Sequence, residues 1–333
     1  MGTILIQSPT RVDLAGGTLD LWPLYLFVGG ASTVNLAISI STFVELQPLQ
    51  DKSIELISED LKLRKQYVNL DACLADNDPK MSLLQVQMKY WKPQQGFRLT
   101  TKSQSPVGGG LGGSSSLTIS LLKAFEQFTR NKFSSVHQRV KVAHDIEAEI
   151  LNTPTGTQDY YPADCGGINI LHYGYDGIQQ KVLPLKNSPL DSNFMLVYTG
   201  KSHHSGINNF EVMQKAVSKD SKTMGALREL KRVAIEMEKA VVESQWSELP
   251  RLFKEEFKFR VQLAPAFSSP EIEKLHGLTL NAGAEAVKIC GAGGGGCVMV
   301  WVSPEKREQV AKACQKEGFQ VLDAKPVAPL TQI

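Results

Sequence analysis

Residues 106–116 read Pro106-Val107-Gly108-Gly109-Gly110-Leu111-Gly112-Gly113-Ser114-Ser115-Ser116 and run straight into an amphipathic stretch. Leu117, Leu121, Ala124, Phe125 and Phe128 fall on one face at helical spacing, which predicts a helix over 114–130. With 27 glycines in 333 residues, a six-residue window should hold about half a glycine, whereas Gly108–Gly113 holds five. A flexible linker is a poor reading, because the cluster joins two ordered-looking elements and encloses Leu111. Glycine allows positive φ and close backbone approach, and the first turn of a helix exposes unpaired amides. Together these suit a phosphate group, with the hydroxyls of Ser114, Ser115 and Ser116 able to cap the helix or reach a metal. The same residues would also serve as a tight strand-to-helix turn with a serine N-cap. Two familiar phosphate motifs are excluded. No lysine follows Gly113 as a P-loop requires, and residues 104–125 do not supply the strand–helix–strand unit of a dinucleotide fingerprint.

Outward from this cluster, the first half of the chain reads mainly as strands. Thr3–Leu14 is apolar and β-branched but broken by Pro9, and short strands are expected at Ala31–Ile38, Ser41–Leu46, Ile54–Ile57 and Gly96–Thr101, with a helix over Met81–Met88. A helix is expected over His137–Asn152, where Val142, Ile146 and Ile150 recur four apart. Ile168–Tyr173 and Val182–Leu185 read as strands around a Tyr-Gly-Tyr-Asp-Gly turn. The second half opens on a strand, Phe194–Tyr198, and continues through helices near 205–217, 221–244, 246–263 and 269–281. Strands at Ala286–Ile289, Cys297–Val302 and Phe319–Leu322 follow, with a helix at 304–317. There is no regular βαβ alternation and no internal repeat, so the class is α+β in two lobes, 1–185 and 186–333. A second glycine cluster lies in the second lobe, Lys288-Ile289-Cys290-Gly291-Ala292-Gly293-Gly294-Gly295-Gly296-Cys297.

Composition narrows the function classes. The 36 basic and 34 acidic residues nearly cancel, which argues against a bulk-charge binder of nucleic acid or membrane surfaces. Five cysteines without C-x-x-C spacing disfavour a disulfide framework or a zinc site and point to a reducing, cytoplasmic setting. The first residues lack the basic and apolar regions of a signal peptide, and no apolar run approaches the ~18 residues of a membrane span.

Three motifs in order resemble those of the GHMP kinases, named after galactokinase, homoserine kinase, mevalonate kinase and phosphomevalonate kinase. Arg11-Val12-Asp13-Leu14-Ala15-Gly16-Gly17-Thr18-Leu19-Asp20 resembles the first motif; Pro106–Ser116 is similar to the second, P-x-x-x-G-L-G-S-S-A; and Lys288–Cys297 is similar to the third, K-x-x-G-x-G-G-G. The form of the first motif is nearest to L-fucokinases and D-glycero-D-manno-heptose 7-phosphate kinases. The latter also carry G-x-Q-D, here Gly156-Thr157-Gln158-Asp159, then A-x-x-G-G, here Ala163–Gly167, and Y-T-G-x-[ST], here Tyr198–Ser202. Two places depart from the heptose pattern: Thr18-Leu19-Asp20-Leu21-Trp22 in the first motif, and His203-His204 where an arginine is usual.

The resemblance implies a two-lobed fold, with a ribosomal S5 domain 2-like first lobe and a ferredoxin-like second lobe. It implies that Pro106, Gly108, Gly109, Gly110, Leu111, Gly112, Gly113, Ser114, Ser115 and Ser116 wrap the phosphates of ATP, with Gly293 and Gly294 of the third motif closing the site. Mg²⁺ would be held by Ser114 and Glu147. Helical geometry places Glu147 inside the apolar sector of its helix and Glu149 at the edge, and an inward carboxylate needs a partner. Asp159 would accept or orient the proton of the acceptor hydroxyl, and Arg11 would be its cationic partner. Asp20, Gly156 and Gln158 would meet the sugar; Lys201, with His203 or His204, would meet a substrate phosphate. The implied reaction is ATP-dependent phosphorylation of an anomeric hydroxyl, D-glycero-D-manno-heptose 7-phosphate to the 1,7-bisphosphate. A free-sugar 1-kinase of the L-fucose or galactose type is the alternative. Arg11 and Asp20 speak against a mevalonate type, and the presence of Asp159 and Glu147 speaks against a nucleotide-binding sensor without turnover.

Overall fold

The computed structural model describes residues 2–186, 188–202, 205–264, 267–291 and 293–331, without the side chains of 205–208; His203 and His204 therefore lie outside the described residues. The strands are β1 (Ile4–Ala15), β2 (Ala31–Pro48), β3 (Ile54–Ser58), β4 (Leu63–Tyr67), β5 (Phe97–Ser103), β6 (Ile168–Gly174), β7 (Gly177–Leu183), β8 (Phe194–Tyr198), β9 (Ala286–Ile289), β10 (Cys297–Trp301) and β11 (Gln320–Leu322). The helices are α1 (Leu24–Phe27), α2 (Leu70–Leu74), α3 (Ser82–Trp91), α4 (Gly113–Thr129), α5 (Val136–Leu151), α6 (Tyr160–Cys165), α7 (Leu190–Asn193), α8 (Ser205–Val217), α9 (Ser221–Val242), α10 (Leu249–Arg260), α11 (Pro270–Asn281) and α12 (Pro304–Lys316).

The first lobe is a seven-stranded sheet in the order β4-β3-β5-β2-β6-β7, with β1 paired to β2. Its spine is β2, one strand of 18 residues where the sequence suggests two short ones. The break is a bulge: the β1 partner jumps from Pro9↔Ser41 to Thr10↔Ile38, so pairing resumes on the far side of Pro9. At that bulge the Ser39 N–H donates to the Lys325 carbonyl at 2.8 Å, and the chain beyond β11 continues along the first lobe through Val327 N–H to Ala37 O at 2.9 Å. Only β3 and β5 run parallel in this sheet, and the crossover between them carries β4, α2 and α3.

The second lobe is an antiparallel sheet in the order β11-β8-β10-β9. With helices between β8 and β9 and between β10 and β11, this is the ferredoxin-like arrangement. Alternation along its strands sorts two faces. Met195, Val197, Val298 and Val300 pack with Ile272, Leu275, Val310 and Cys314 from α11 and α12. Leu196, Met299 and Trp301 join Met237, Leu252 and Phe253 from α9 and α10, and also Val12, Leu14, Leu36 and Ile38 of the first lobe. One apolar core therefore runs through both lobes. Among the described residues no helix is long and apolar enough to cross a membrane.

Four charges are buried beside that core. Lys288 Nζ on β9 donates to Asp13 Oδ1 on β1 at 2.6 Å, and Arg260 Nε donates to Glu256 Oε1 on α10 at 2.6 Å. Arg260 Nη2 lies 3.4 Å from Asp13 Oδ2, and Lys288 Nζ lies 3.5 Å from Glu256 Oε1. Two cations and two carboxylates cancel. Burial opposes the Asp13 charge, but Lys288, Arg260 and Arg11 hold its carboxyl below the ordinary range. Removing one partner of such a set strands a charge away from water. Lys288→Met is expected to cost about 3–5 kcal/mol in chemical denaturation of the purified protein, the scale of a broken buried pair; a loss under about 1 kcal/mol would show that Arg260 alone suffices for Asp13.

Candidate active site

Beyond β5 the chain turns through the glycine cluster into α4, whose N-cap, Gly112, has φ 68°. No described side chain caps this helix start. Gly113, Ser114 and Ser115 of its first turn line a cavity of about 400 Å³, together with Pro106 and Gly108–Gly110. The loop is fixed from both lobes. The Arg11 N–H donates to Leu111 O at 3.1 Å, and the Cys297 N–H, at the end of the second cluster, donates to Gly109 O at 2.8 Å. A Cβ on Gly291 would come within 2.9 Å of Gly110 Cα, so the two glycine clusters meet backbone to backbone.

Not every residue of the phosphate set reaches the cavity. Leu111 is buried in the interlobe core, and Ser116 Oγ donates to Ser8 O at 3.0 Å beside Thr42. Gly293 and Gly294 are absent from the wall. Gly293 packs on Phe267, where a Cβ would come within 2.2 Å of the carbonyl oxygen.

Three of the expected acidic residues, Asp159, Asp20 and Glu147, converge on the cavity from different segments. Asp159 occupies the N-cap position of α6 but makes no capping bond. Its Oδ1 instead accepts Arg11 Nε at 2.8 Å and lies 2.6 Å from Arg11 Nη2, while Arg11 Nη1 donates to Gly110 O at 2.6 Å. Burial works against the Arg11 charge, yet Asp159 and Asp13 raise its pKa above the ordinary value. Asp20 is buried and accepts the Gln158 N–H at 3.0 Å. A Cβ at 156 would stand 1.8 Å from Asp20 Oδ2, so any larger residue would displace the Asp20 carboxylate. Burial, and then the Asp159 charge, push the Asp20 carboxyl up to about 6. Glu147 points inward from α5 and accepts Ser115 Oγ at 3.0 Å and the Tyr160 hydroxyl. Burial raises its pKa as well. Glu149 pairs with Lys89 on the surface, and Asp145 lies beside His144.

Lys201 is not brought to the cavity. Its side chain is 63% exposed and paired with Glu271. Trp22 is 66% exposed and off the wall. The wall instead gains Thr18, Asp60, Leu61, Leu83, Asn209 and Arg260. No motif marks Arg260, which ends an ordinary amphipathic helix. Tyr160 follows Asp159 directly, and that adjacency was the available signal for it.

The GHMP kinases N terminal domain matches residues 80–167, and the GHMP kinases C terminal domain matches residues 237–320. The chain belongs to the GHMP kinases. It is 29% identical to a D-glycero-alpha-D-manno-heptose 7-phosphate kinase of Campylobacter jejuni, over 97% of this chain and 96% of that one. It is 25% identical to a mevalonate kinase of Methanocaldococcus jannaschii, over 97% and 99% of the two chains. The solved galactokinase of Lactococcus lactis superposes with a TM-score of 0.80 at 17% identity, over 99% of this chain and 95% of that one, a likeness of fold. This kinase has its glycine cradle and its cluster of carboxylates on one cavity, as phosphoryl transfer to an alcohol requires.

Asp20 gives a stability test. Its folded pKa is raised from 3.8 to about 6, so the folded state binds the extra proton between those values. Stability is penalised as pH rises through that window, by up to about 3 kcal/mol above it. Asp20→Asn, which keeps an acceptor for Gln158, is expected to match wild type in melting experiments near pH 4 and to exceed it above pH 6. A variant less stable than wild type at pH 7 would show that the Asp20 charge is compensated.

Proposed function

We propose that this kinase transfers the γ-phosphoryl group of ATP to the anomeric hydroxyl of a sugar, with D-glycero-D-manno-heptose 7-phosphate as the acceptor and the 1,7-bisphosphate as product. The observation that carries this reading is the Arg11–Asp159 pair, set on one cavity wall with Asp20, Gly156 and Gln158 and with the glycine cradle. ATP is the phosphoryl donor of the family. Its phosphates suit the loop Gly108–Ser115, and its base suits the wall segment of Asp60, Leu61 and Leu83. Asp159 takes or orients the hydroxyl proton as the sugar oxygen attacks phosphorus and the bond to the β-phosphate oxygen breaks. Arg11 stays charged, fixes that carboxylate and offsets charge growing on the phosphoryl oxygens. Asp20 accepts hydrogen bonds from sugar hydroxyls. The acceptor identity is supported by the full-length likeness to the Campylobacter enzyme and by the Gly156–Asp159 segment.

A divalent cation fits the residues present. Glu147 is a buried carboxylate on the cavity wall whose charge is opposed by burial, with Ser114 nearby on the same wall. Mg²⁺ held by Glu147 and Ser114 would supply charge neutralisation of the ATP phosphates.

One observation favours a free sugar instead. Lys201, the residue expected to meet a 7-phosphate, is paired with Glu271 away from the cavity. Comparing kcat/KM for the heptose with and without its 7-phosphate separates the two acceptors; equal values would reject the phosphorylated acceptor and leave the anomeric kinase standing. Titration calorimetry with a non-hydrolysable ATP analogue tests the class, and no binding with or without Mg²⁺ would reject it. Asp159→Asn is expected to keep analogue binding and to lower kcat by ~10² or more. An unchanged kcat would remove Asp159 from proton handling.

A further inference from the structure

We infer that Arg260 is the acceptor-side cation of the active site: carried by the second lobe, it pins the Gly17–Asp20 loop and donates a hydrogen bond to the acceptor molecule beside Asp20. This inference rests on the sugar-kinase reading. Among the described residues the cavity wall carries two cations, Arg11 and Arg260. Arg11 is committed to Asp159 and Gly110 O. Arg260 is 1% exposed yet reaches the cavity, at the C-terminal end of α10.

A guanidinium has five N–H donors in a rigid fork. Arg260 Nε is taken by Glu256, and Nη2 reaches Gly17 O at 3.1 Å and approaches Asp13. Nη1, with two N–H groups, has one acceptor among the described residues, Thr18 Oγ1 at 3.2 Å. One Nη1 donor therefore remains without an acceptor among the described residues, on a nitrogen that already reaches the cavity-lining Thr18. Asp20 is close enough for its charge to act on the guanidinium. A carboxylate that accepts and a cation that donates on the wall of one cavity complement a pair of neighbouring hydroxyls, or a hydroxyl and an anionic oxygen. Asp13 and Glu256 neutralise Arg260 and Lys288, so the fork is held without a net buried charge.

Arg260→Lys keeps the charge between Asp13 and Glu256 but loses the fork. The expected result is a rise of about tenfold or more in acceptor KM, with kcat and the KM for ATP within about twofold of wild type, the loss of one charge-assisted hydrogen bond. An unchanged acceptor KM in the folded variant, or an equal rise for ATP, overturns the inference. If Arg260→Lys does not fold, Thr18→Ala and Thr18→Ser replace it. Alanine should raise acceptor KM and serine should restore it, and wild-type values for both overturn the inference. Failure of the sugar-kinase reading is visible separately, as a wild-type enzyme that phosphorylates none of heptose 7-phosphate, heptose, L-fucose or galactose. In that event the ATP analogue still tests Arg260: its affinity should be the same in Arg260→Lys, and weaker binding would place Arg260 on the nucleotide side.

Discussion

Asp13 is the hinge of this molecule's energetics. It lies on β1, two residues from Arg11, and it is buried against two cations from the other lobe, Lys288 and Arg260. A carboxylate in that position cannot reach water, so Lys288 and Arg260 must be in place whenever the fold is closed. They belong to β9 and α10, and those elements are fixed by the second-lobe sheet and its helices. The direction of Arg260 and its hold on Gly17 and Thr18 thus answer one electrostatic requirement. The apolar core shared by Val12, Leu14, Met299 and Trp301 supplies the bulk of the attraction. The ion cluster supplies its geometry, because charges, unlike methyl groups, tolerate few alternative partners.

The active site places carboxylates where the fold would not choose them. Asp20 and Glu147 are both buried and both pushed upward by that burial. Neither is neutralised by a nearby cation to the degree that Asp13 is. Their hydrogen bonds are to neutral groups, the Gln158 amide for Asp20 and the hydroxyls of Ser115 and Tyr160 for Glu147. Such residues are held ready for ligands that bring donors or positive charge. Asp159 differs, since Arg11 engages it directly through two nitrogens on one oxygen. That pairing leaves Oδ2 against Gly112, where any side chain would crowd it.

Much of the architecture was legible because it rests on local signals. Glycine density located both loops, and the amphipathic period located α4 and α5 within a residue of their observed starts. The 100° spacing separated Glu147 from Glu149. What was not legible depends on long-range packing. Pro9 looked like a strand end, but a bulge lets β1 and β2 continue past it. Ser116 looked equivalent to Ser114 and Ser115; one more helical step turns its hydroxyl toward Ser8 and Thr42 in the sheet. Lys201 follows a recognisable strand end, but the partner that holds it, Glu271, is 70 residues away and gives no local sign. Arg260 was invisible for the same reason, since its partners Asp13, Gly17 and Thr18 lie in the other lobe.

The second glycine cluster shows why such distant contacts matter for chemistry. Gly291 lies against Gly110, and the Cys297 amide holds the Gly109 carbonyl, so the first glycine loop is braced by the second lobe. Arg260 brings the same lobe to the cavity-lining loop at Gly17 and Thr18. In-line transfer needs the γ-phosphate and the hydroxyl aligned to a fraction of an ångström, and misalignment by 1 Å can cost about 10² in rate. A loop of bare glycines cannot keep that precision by itself, because glycine has the most conformational freedom of any residue. Bracing both cavity loops from the second lobe restricts that freedom. Glycines then provide close approach and the buried charges provide register, and the shape of the cavity follows from contacts between the two lobes.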